Sequence, residues 1–232
     1  MQSREVIEMQ LSDGKQLIKL ITSVDFVHVM GAGLNIERPA HNAIHDLSGR
    51  GWNPVPVHPT DAGGSIAGYP IRAAVDDGVP VDIVVLFLAP VRAREAVRKM
   101  LVSNNGKSSL VWFQEGAEDE IAEEWLNDAG WKFVKGDCIM RFLNRHGLVN
   151  EPITIPWFRQ VQSDDDLGCS IWSVHEFEED CDKPSTELEW VGDLRDLEKS
   201  RLSIPRYIRG LRKDDESLEE CARRLARGTR SI

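Results

Sequence analysis

The stretch Val27-His28-Val29-Met30-Gly31-Ala32-Gly33-Leu34-Asn35-Ile36-Glu37-Arg38-Pro39-Ala40-His41, which runs on to Leu47, decides how this chain is read. An apolar, β-branched run (Val24–Met30) stops at a Gly-Ala-Gly turn, and Ala40–Ser48 reads as a helix entered through Pro39. Such a strand-to-helix turn aims backbone N–H groups and the positive helix end at one point, which is the physics of phosphate binding in doubly wound folds. Gly31 permits a positive φ, and Gly33 keeps side-chain bulk away from a ligand. The G-x-G-x-x-G fingerprint is incomplete, because Ile36 replaces its third glycine. On the motif alone, a structural turn and a phosphate seat are equally served.

The surrounding pattern alternates strands and helices. A helix starts near Asp13, a good N-cap. Trp52–His58 reads as a strand whose Pro54 and Pro56 suit a sheet edge. Residues 60–72 are turn-rich and read as a loop. The continuously apolar run 81–90, VDIVVLFLAP, predicts a parallel strand covered on both faces, with Pro90 opening a helix through Leu101. Ser109–Gln114 is the next strand, Ala117–Ala129 a helix closed by Gly130, and Trp131–Lys135 a last short strand. This alternation predicts an α/β fold, a parallel sheet with helices on both sides. After Val149 the pattern changes. Residues 153–161 and 169–177 read as strands around an acidic turn at 164–166, and Glu187–Leu202 and Asp214–Arg227 read as helices. Leu218, Cys221, Ala222 and Leu225 form one apolar stripe on the last of these. The expected division is 1–149 for the α/β unit and 150–232 for a mixed, partly helical C-terminal appendage.

Composition narrows the function classes. With 41% hydrophobic and 28% charged residues among 232, the chain is globular rather than disordered. Its net charge of −10 argues against nucleic-acid binding. The apolar run Ile83–Val91 is too short to span a membrane. An N-terminus without a basic-then-apolar layout and four dispersed cysteines point to the cytoplasm. The charge is uneven: residues 150–198 carry 3 basic and 14 acidic groups (−11), and residues 199–232 carry 10 and 5 (+5). These segments can neutralise each other in cis or offer a surface to a protein partner. Salt screens exposed charges, so Trp157, Phe158, Trp172, Trp190 and Leu225 are expected to carry any docking of the appendage.

The end of the second strand bears on the ligand. A site for NAD has an Asp or Glu there for the ribose hydroxyls, whereas this strand ends Val57-His58-Pro59, with Asp61 nearby. Taken together, residues 31–59 (GAGLNIERPAHNAIHDLSGRGWNPVPVHP), 80–90 (PVDIVVLFLAP) and 110–138 (LVWFQEGAEDEIAEEWLNDAGWKFVKGDC) resemble, in order, the blocks of small stand-alone CoA-binding proteins. These are similar to the CoA-binding domain of the succinyl-CoA synthetase alpha subunit. The resemblance spans about residues 13–149 and implies a Rossmann-like fold that takes CoA or an acyl-CoA at the carboxyl ends of its strands. It also implies that Gly31, Ala32, Gly33 and Asn35 face the pyrophosphate, with Arg38 as a donor and Pro39 starting the helix. Val57, His58 and Pro59 would flank the adenosine, and Phe87, Leu88 and Pro90 would form the opposite wall. Trp112, Gln114 and Gly116 match the family's W-x-Q-x-G strand end, and Cys138 its cysteine. The family usually has Ser at Gly33, Asn at His58 and often Arg at Leu88, and an Asp-Arg pair where this chain has Gly136-Asp137. The implied pocket is therefore short of one hydroxyl and up to two cations.

Other constellations compete less well. His41 and His45 stand one helical turn apart without the Glu of H-E-x-x-H, which favours a capping or pocket-lining role. Cys169, His175 and Cys181 match no compact zinc knuckle. Cys138 serves either thiol exchange with CoA or packing. With no nucleophile–base pair in view, the expectation is a binding or regulatory module. The alternatives are an enzyme acting on CoA thioesters and a scaffold with a decayed nucleotide pocket.

Overall fold

The computed structural model describes residue 10 and residues 13–75, 78–103, 110–164, 169–177 and 180–228; the acidic turn expected at 164–166 falls outside these beyond Asp164. In chain order the elements are α1 (Gly14–Ile21), β1 (Phe26–Met30), α2 (Pro39–Gly49), β2 (Asn53–Val57), β3 (Ser65–Ile66), β4 (Tyr69–Pro70), β5 (Ile83–Leu86), α3 (Pro90–Val102), β6 (Leu110–Phe113), α4 (Glu120–Asp128), β7 (Phe133–Val134), α5 (Ile139–His146), β8 (Trp157–Gln162), β9 (Ser170–His175), β10 (Leu188–Asp193), α6 (Leu194–Lys199), α7 (Ser203–Gly210) and α8 (Leu218–Gly228).

Five strands form one parallel sheet in the order β2-β1-β5-β6-β7. Without the small β3–β4 hairpin this is the doubly wound order 2-1-3-4-5, which reverses between β1 and β5. Alternation along each strand feeds two cores. Val27, Val29, Ile83, Val85 and Trp112 pack with Leu17, Ile44 and Phe142 on one face. Val84, Leu86, Val111 and Phe113 pack with Val97 and Leu126 on the other. Local signals set the helix starts: Asp13 caps α1 by accepting from the Lys15 N–H at 2.9 Å, and Asp119 caps α4 by accepting from Ala122 at 3.0 Å. Pro39 and Pro90 occupy first turns, where no N–H is needed. Pro54 and Pro56 lie on β2, the edge strand, as their missing donors require. Among the described residues no helix is long and apolar enough to cross a membrane.

The appendage is a three-stranded antiparallel sheet, β10-β8-β9, with α6, α7 and α8. Three sequence expectations are corrected here. The helix expected over Glu187–Leu202 is strand β10 followed by α6. Trp190, Leu194 and Leu197 suit a helical stripe, but Leu188 to Asp193 pair with β8, and Asp193 then caps α6 in a capping box with Asp196. The last helix starts at Leu218, where Ser217 and Glu220 exchange hydrogen bonds, rather than at Asp214. Residues 60–72 are not plain loop: they hold the β3–β4 hairpin, and Arg72 bridges β2 through Arg72 N–H to Pro56 O and His58 N–H to Arg72 O, both 2.9 Å.

The docking residues also differ from expectation. Phe158, Trp172 and Trp190 stack on one another inside the appendage's own core with Leu197, Ile208, Ala222 and Leu225. Trp157 is fully buried against the His175 ring. Contacts with the rest of the chain include Phe177, edge-on to Tyr69 of the β3–β4 hairpin at 4.8 Å, Arg195 over the Phe26 ring of β1, and Arg72 with Asp193 and Asp196. The Arg72 guanidinium, 4% exposed, donates to Asp196 Oδ2 (Nε 3.0 Å, Nη2 2.6 Å), Asp193 Oδ2 (2.6 Å) and Pro70 O (2.8 Å).

Candidate functional site

The turns that follow β1, β2, β5, β6 and β7 all leave the carboxyl ends of parallel strands, so they meet at one edge of the sheet. Gly31 leaves β1 with φ +95°, donates its N–H to Val57 O at 2.8 Å, and lies against the turn after β5. A Cβ on Gly31 would stand 2.6 Å from the Phe87 carbonyl oxygen, so only glycine admits both the φ and this approach. The Phe87 N–H returns to Met30 O at 3.1 Å. The glycine turn thus sits at the reversal of strand order, where ligands bind in open α/β sheets.

Gly33 is buried, and its carbonyl oxygen lies 2.9 Å from His41 Nδ1, so the histidine pins the loop to α2. His45 lies beside His41 with ring centroids 5.2 Å apart. Ala32 is buried under the turn. Asn35 is exposed and accepts from the Glu37 N–H at 3.0 Å, an Asx turn that leads the chain into α2. Arg38 precedes Pro39 at the N-cap, exposed, with no side-chain cap bond. His58 and Pro59 follow the buried Val57, and Leu88 and Pro90 follow Phe87, with the Leu88 side chain against Gly31. The structure therefore brings together the residues assigned to the pyrophosphate and to both walls. The apolar surface is open around them: Ile36 is 71% and Val91 64% exposed at the starts of the two helices.

Two features escaped sequence reasoning. Asp61 folds back onto the glycine loop: its Oδ2 accepts the Leu34 N–H at 2.9 Å and lies 3.2 Å from His58 Nδ1. A Cβ on Gly33 would stand 2.9 Å from the His58 ring and would collide with the Asp61 carboxylate. Gly33 is thus needed for this local network. Arg92, exposed in the first turn of α3, stands at the far side of the mouth. Its signal was its place two residues after Pro90. Arg38 and Arg92 give each helix start one cation, which partly offsets the uncharged Leu88.

Whether a CoA-type group fits can be tested on buried polar atoms. Gln114, at the end of β6, is 6% exposed, and its Nε2 has no hydrogen-bond partner among the described residues. An unpaired buried amide costs about 1–3 kcal/mol, and a polar ligand group relieves that cost. Next to it, Gly116 turns with φ +84°, and Glu118 accepts from the N–H groups of Gly116 and Gly136, tying the β6 and β7 turns together. Trp112 Nε1 donates to Asp137 O at 2.9 Å, and Asp137 pairs with Arg145. Cys138 is the half-buried N-cap of α5. The Gln114 amide suits a polar ligand group, whereas Asp61 and Glu118, which already take the Leu34, Gly116 and Gly136 N–H groups, oppose an anion.

The cysteines of the appendage part company. Cys181 Sγ lies 3.6 Å from His175 Nδ1, while Cys169 is exposed on the flank of β9. Burial, followed by Arg159, lowers the His175 pKa to about 4, so its ring is neutral at pH 7.

Comparison with known proteins agrees with this geometry. A family model described as CoA binding domain matches residues 26–144. A hypothetical protein from Pyrococcus horikoshii OT3 shares the fold, with 24% identity and TM-score 0.53, over 62% of this chain and 98% of its own. A protein of known structure from Thermus thermophilus is 28% identical, with TM-score 0.53, over 57% of this chain and 98% of its own. No curated protein matches. The appendage lies outside the family match.

Proposed function

This chain belongs to the CoA-binding domain family, and from that membership we propose that it binds CoA or an acyl-CoA as a binding or regulatory module. One observation carries the site assignment: the glycine turn stands at the reversal of strand order, with Gly31 pressed against the Phe87 carbonyl. In this reading the pyrophosphate lies at the start of α2 beside Asn35 and Arg38, and the adenosine lies between the Val57–Pro59 and Phe87–Pro90 walls. Gln114 supplies a donor from beneath. Calorimetric titration tests the reading. CoA should bind and raise the melting temperature, while NAD at equal concentration should not. Equal or greater stabilisation by NAD overturns the ligand assignment.

A second reading has its own observation. Asp61 already satisfies the Leu34 N–H, as a bound anion would, which suits a scaffold whose nucleotide pocket has decayed. A protein that resists CoA, acyl-CoA and NAD alike supports that reading. Release of free thiol from an acyl-CoA panel would instead mark an enzyme acting on CoA thioesters.

A further inference from the structure

A cavity of about 570 Å³ opens where the appendage meets the amino end of β1, at the opposite end of the strands from the glycine turn. Its size falls within the roughly 300–1,000 Å³ typical of small-molecule sites, and junctions between structural units are where such sites concentrate. Phe26, Ile153, Ile155, Leu194 and Leu218 form an apolar wall. All five side chains are half-buried or exposed although they are large and hydrophobic, so water covers surface that an apolar ligand would displace.

The polar groups of the same cavity are mainly cationic. Arg195, Arg209 and Arg212 line it, with Glu198 and Glu219. Glu219 is engaged by Arg223 at 2.8 Å, which leaves three guanidiniums against one uncommitted carboxylate. Arg195 lies over the Phe26 ring at 3.7 Å and donates to Pro80 O, while its buried Nε has no partner among the described residues. The nearby Asp193 and Asp196 are held by Arg72. Arg209 donates to Leu197 O and Ser200 O, which are carbonyls rather than carboxylates. Burial holds the Arg195 pKa below its ordinary value, against the opposing pull of Asp193, Asp196 and Asp82.

We propose that this cavity is a second small-molecule site, independent of the nucleotide site, that takes an organic carboxylate with an apolar body. The carboxylate faces Arg209 and Arg212, and the body lies along Phe26, Ile155 and Leu194. A neutral ligand of the same shape gains the wall but not the charge, and a bare inorganic anion gains the charge but not the wall.

The test uses the full-length protein with octanoate and its neutral analogue octanamide, followed by calorimetry and by backbone amide NMR. Octanoate should bind at least about ten-fold more tightly than octanamide, a difference of about 1.4 kcal/mol. Its shift perturbations should centre on Leu194 and Leu218, not on Gly31–Leu34. Arg212→Glu replaces an exposed side chain and should weaken octanoate by about ten-fold or more, with the ligand-free melting temperature as the control for folding. Equal binding of the two probes, binding of neither, perturbations centred on the glycine turn, or unchanged octanoate affinity in Arg212→Glu each overturns the proposal.

Discussion

Arg72→Met is the sharpest probe of how the two parts of this chain hold together. The substitution keeps the long apolar stem and deletes the charge. It strands Asp193 and Asp196, which are 6% and 3% exposed, without their shared cation, and leaves Pro70 O without its donor. Each charge-assisted bond contributes about 1.5–3 kcal/mol, but the three to carboxylates are not additive, and removing a buried guanidinium recovers part of its own desolvation. Breaking a buried pair from one side typically costs about 3–5 kcal/mol, and that is the expected loss. At this chain length each kcal/mol moves the melting temperature by about 2–4 °C, so a fall of about 6–20 °C should follow.

The sign of the pH dependence follows from Asp196. Burial pushes its carboxyl up to about 6, and Arg72 opposes that rise. Without the arginine the carboxyl climbs further, so acid neutralises it in the folded variant before the unfolded chain, whose aspartate titrates near 3.9, takes up protons. The cost of Arg72→Met should therefore be greatest at pH 7 or above and shrink towards pH 5. His28 and His175 are both held neutral by burial and lower stability as pH falls; Arg72 is also among the charges that lower the His28 pKa, so its loss eases that acid penalty in the variant and acts in the same direction. Urea unfolding followed by tryptophan fluorescence at pH 7.5 and pH 5 makes the measurement. A loss below about 0.5 kcal/mol, the scale of an exposed pair, or a loss that grows in acid, would refute the reasoning.

Gly31→Ala forces a Cβ onto the Phe87 carbonyl at positive φ, and it should cost roughly 1–3 kcal/mol of stability in chemical denaturation as well as weaken CoA binding. Arg38→Ala should weaken CoA by about 1.5–3 kcal/mol in calorimetry while the ligand-free melting temperature stays put, since the side chain is exposed. Asp61→Asn keeps an oxygen for the Leu34 N–H but removes a negative charge from the glycine loop. It should tighten CoA binding, most visibly at low salt where screening is weakest; unchanged affinity at every salt concentration would place the phosphates elsewhere.

How much was legible in advance follows the range of the forces involved. The ends of β1 and β5, the prolines that open α2 and α3, and the Asp13 cap were readable because each is decided within a few residues. The alternation that stacks Val27, Val29 and Val85 on one face and Val84 and Leu86 on the other needs nothing beyond the period of a strand. β10 was misread because Trp190, Leu194 and Leu197 also suit a helix, and only pairing with β8 breaks the tie.

For the candidate site, the sequence by itself determined the glycine turn, which is a property of the backbone, whereas the two walls and the cation at the start of α2 were implied only by the resemblance to CoA-binding proteins. Tertiary structure alone decided that Asp61 turns back onto Leu34, that the buried Gln114 amide finds no partner among the described residues, and that Arg72 meets carboxylates 121 and 124 positions away. A charged or polar side chain takes its role from what is packed around it. The energy of a buried ion depends on partners that only the fold brings within hydrogen-bond reach, so no local pattern encodes it.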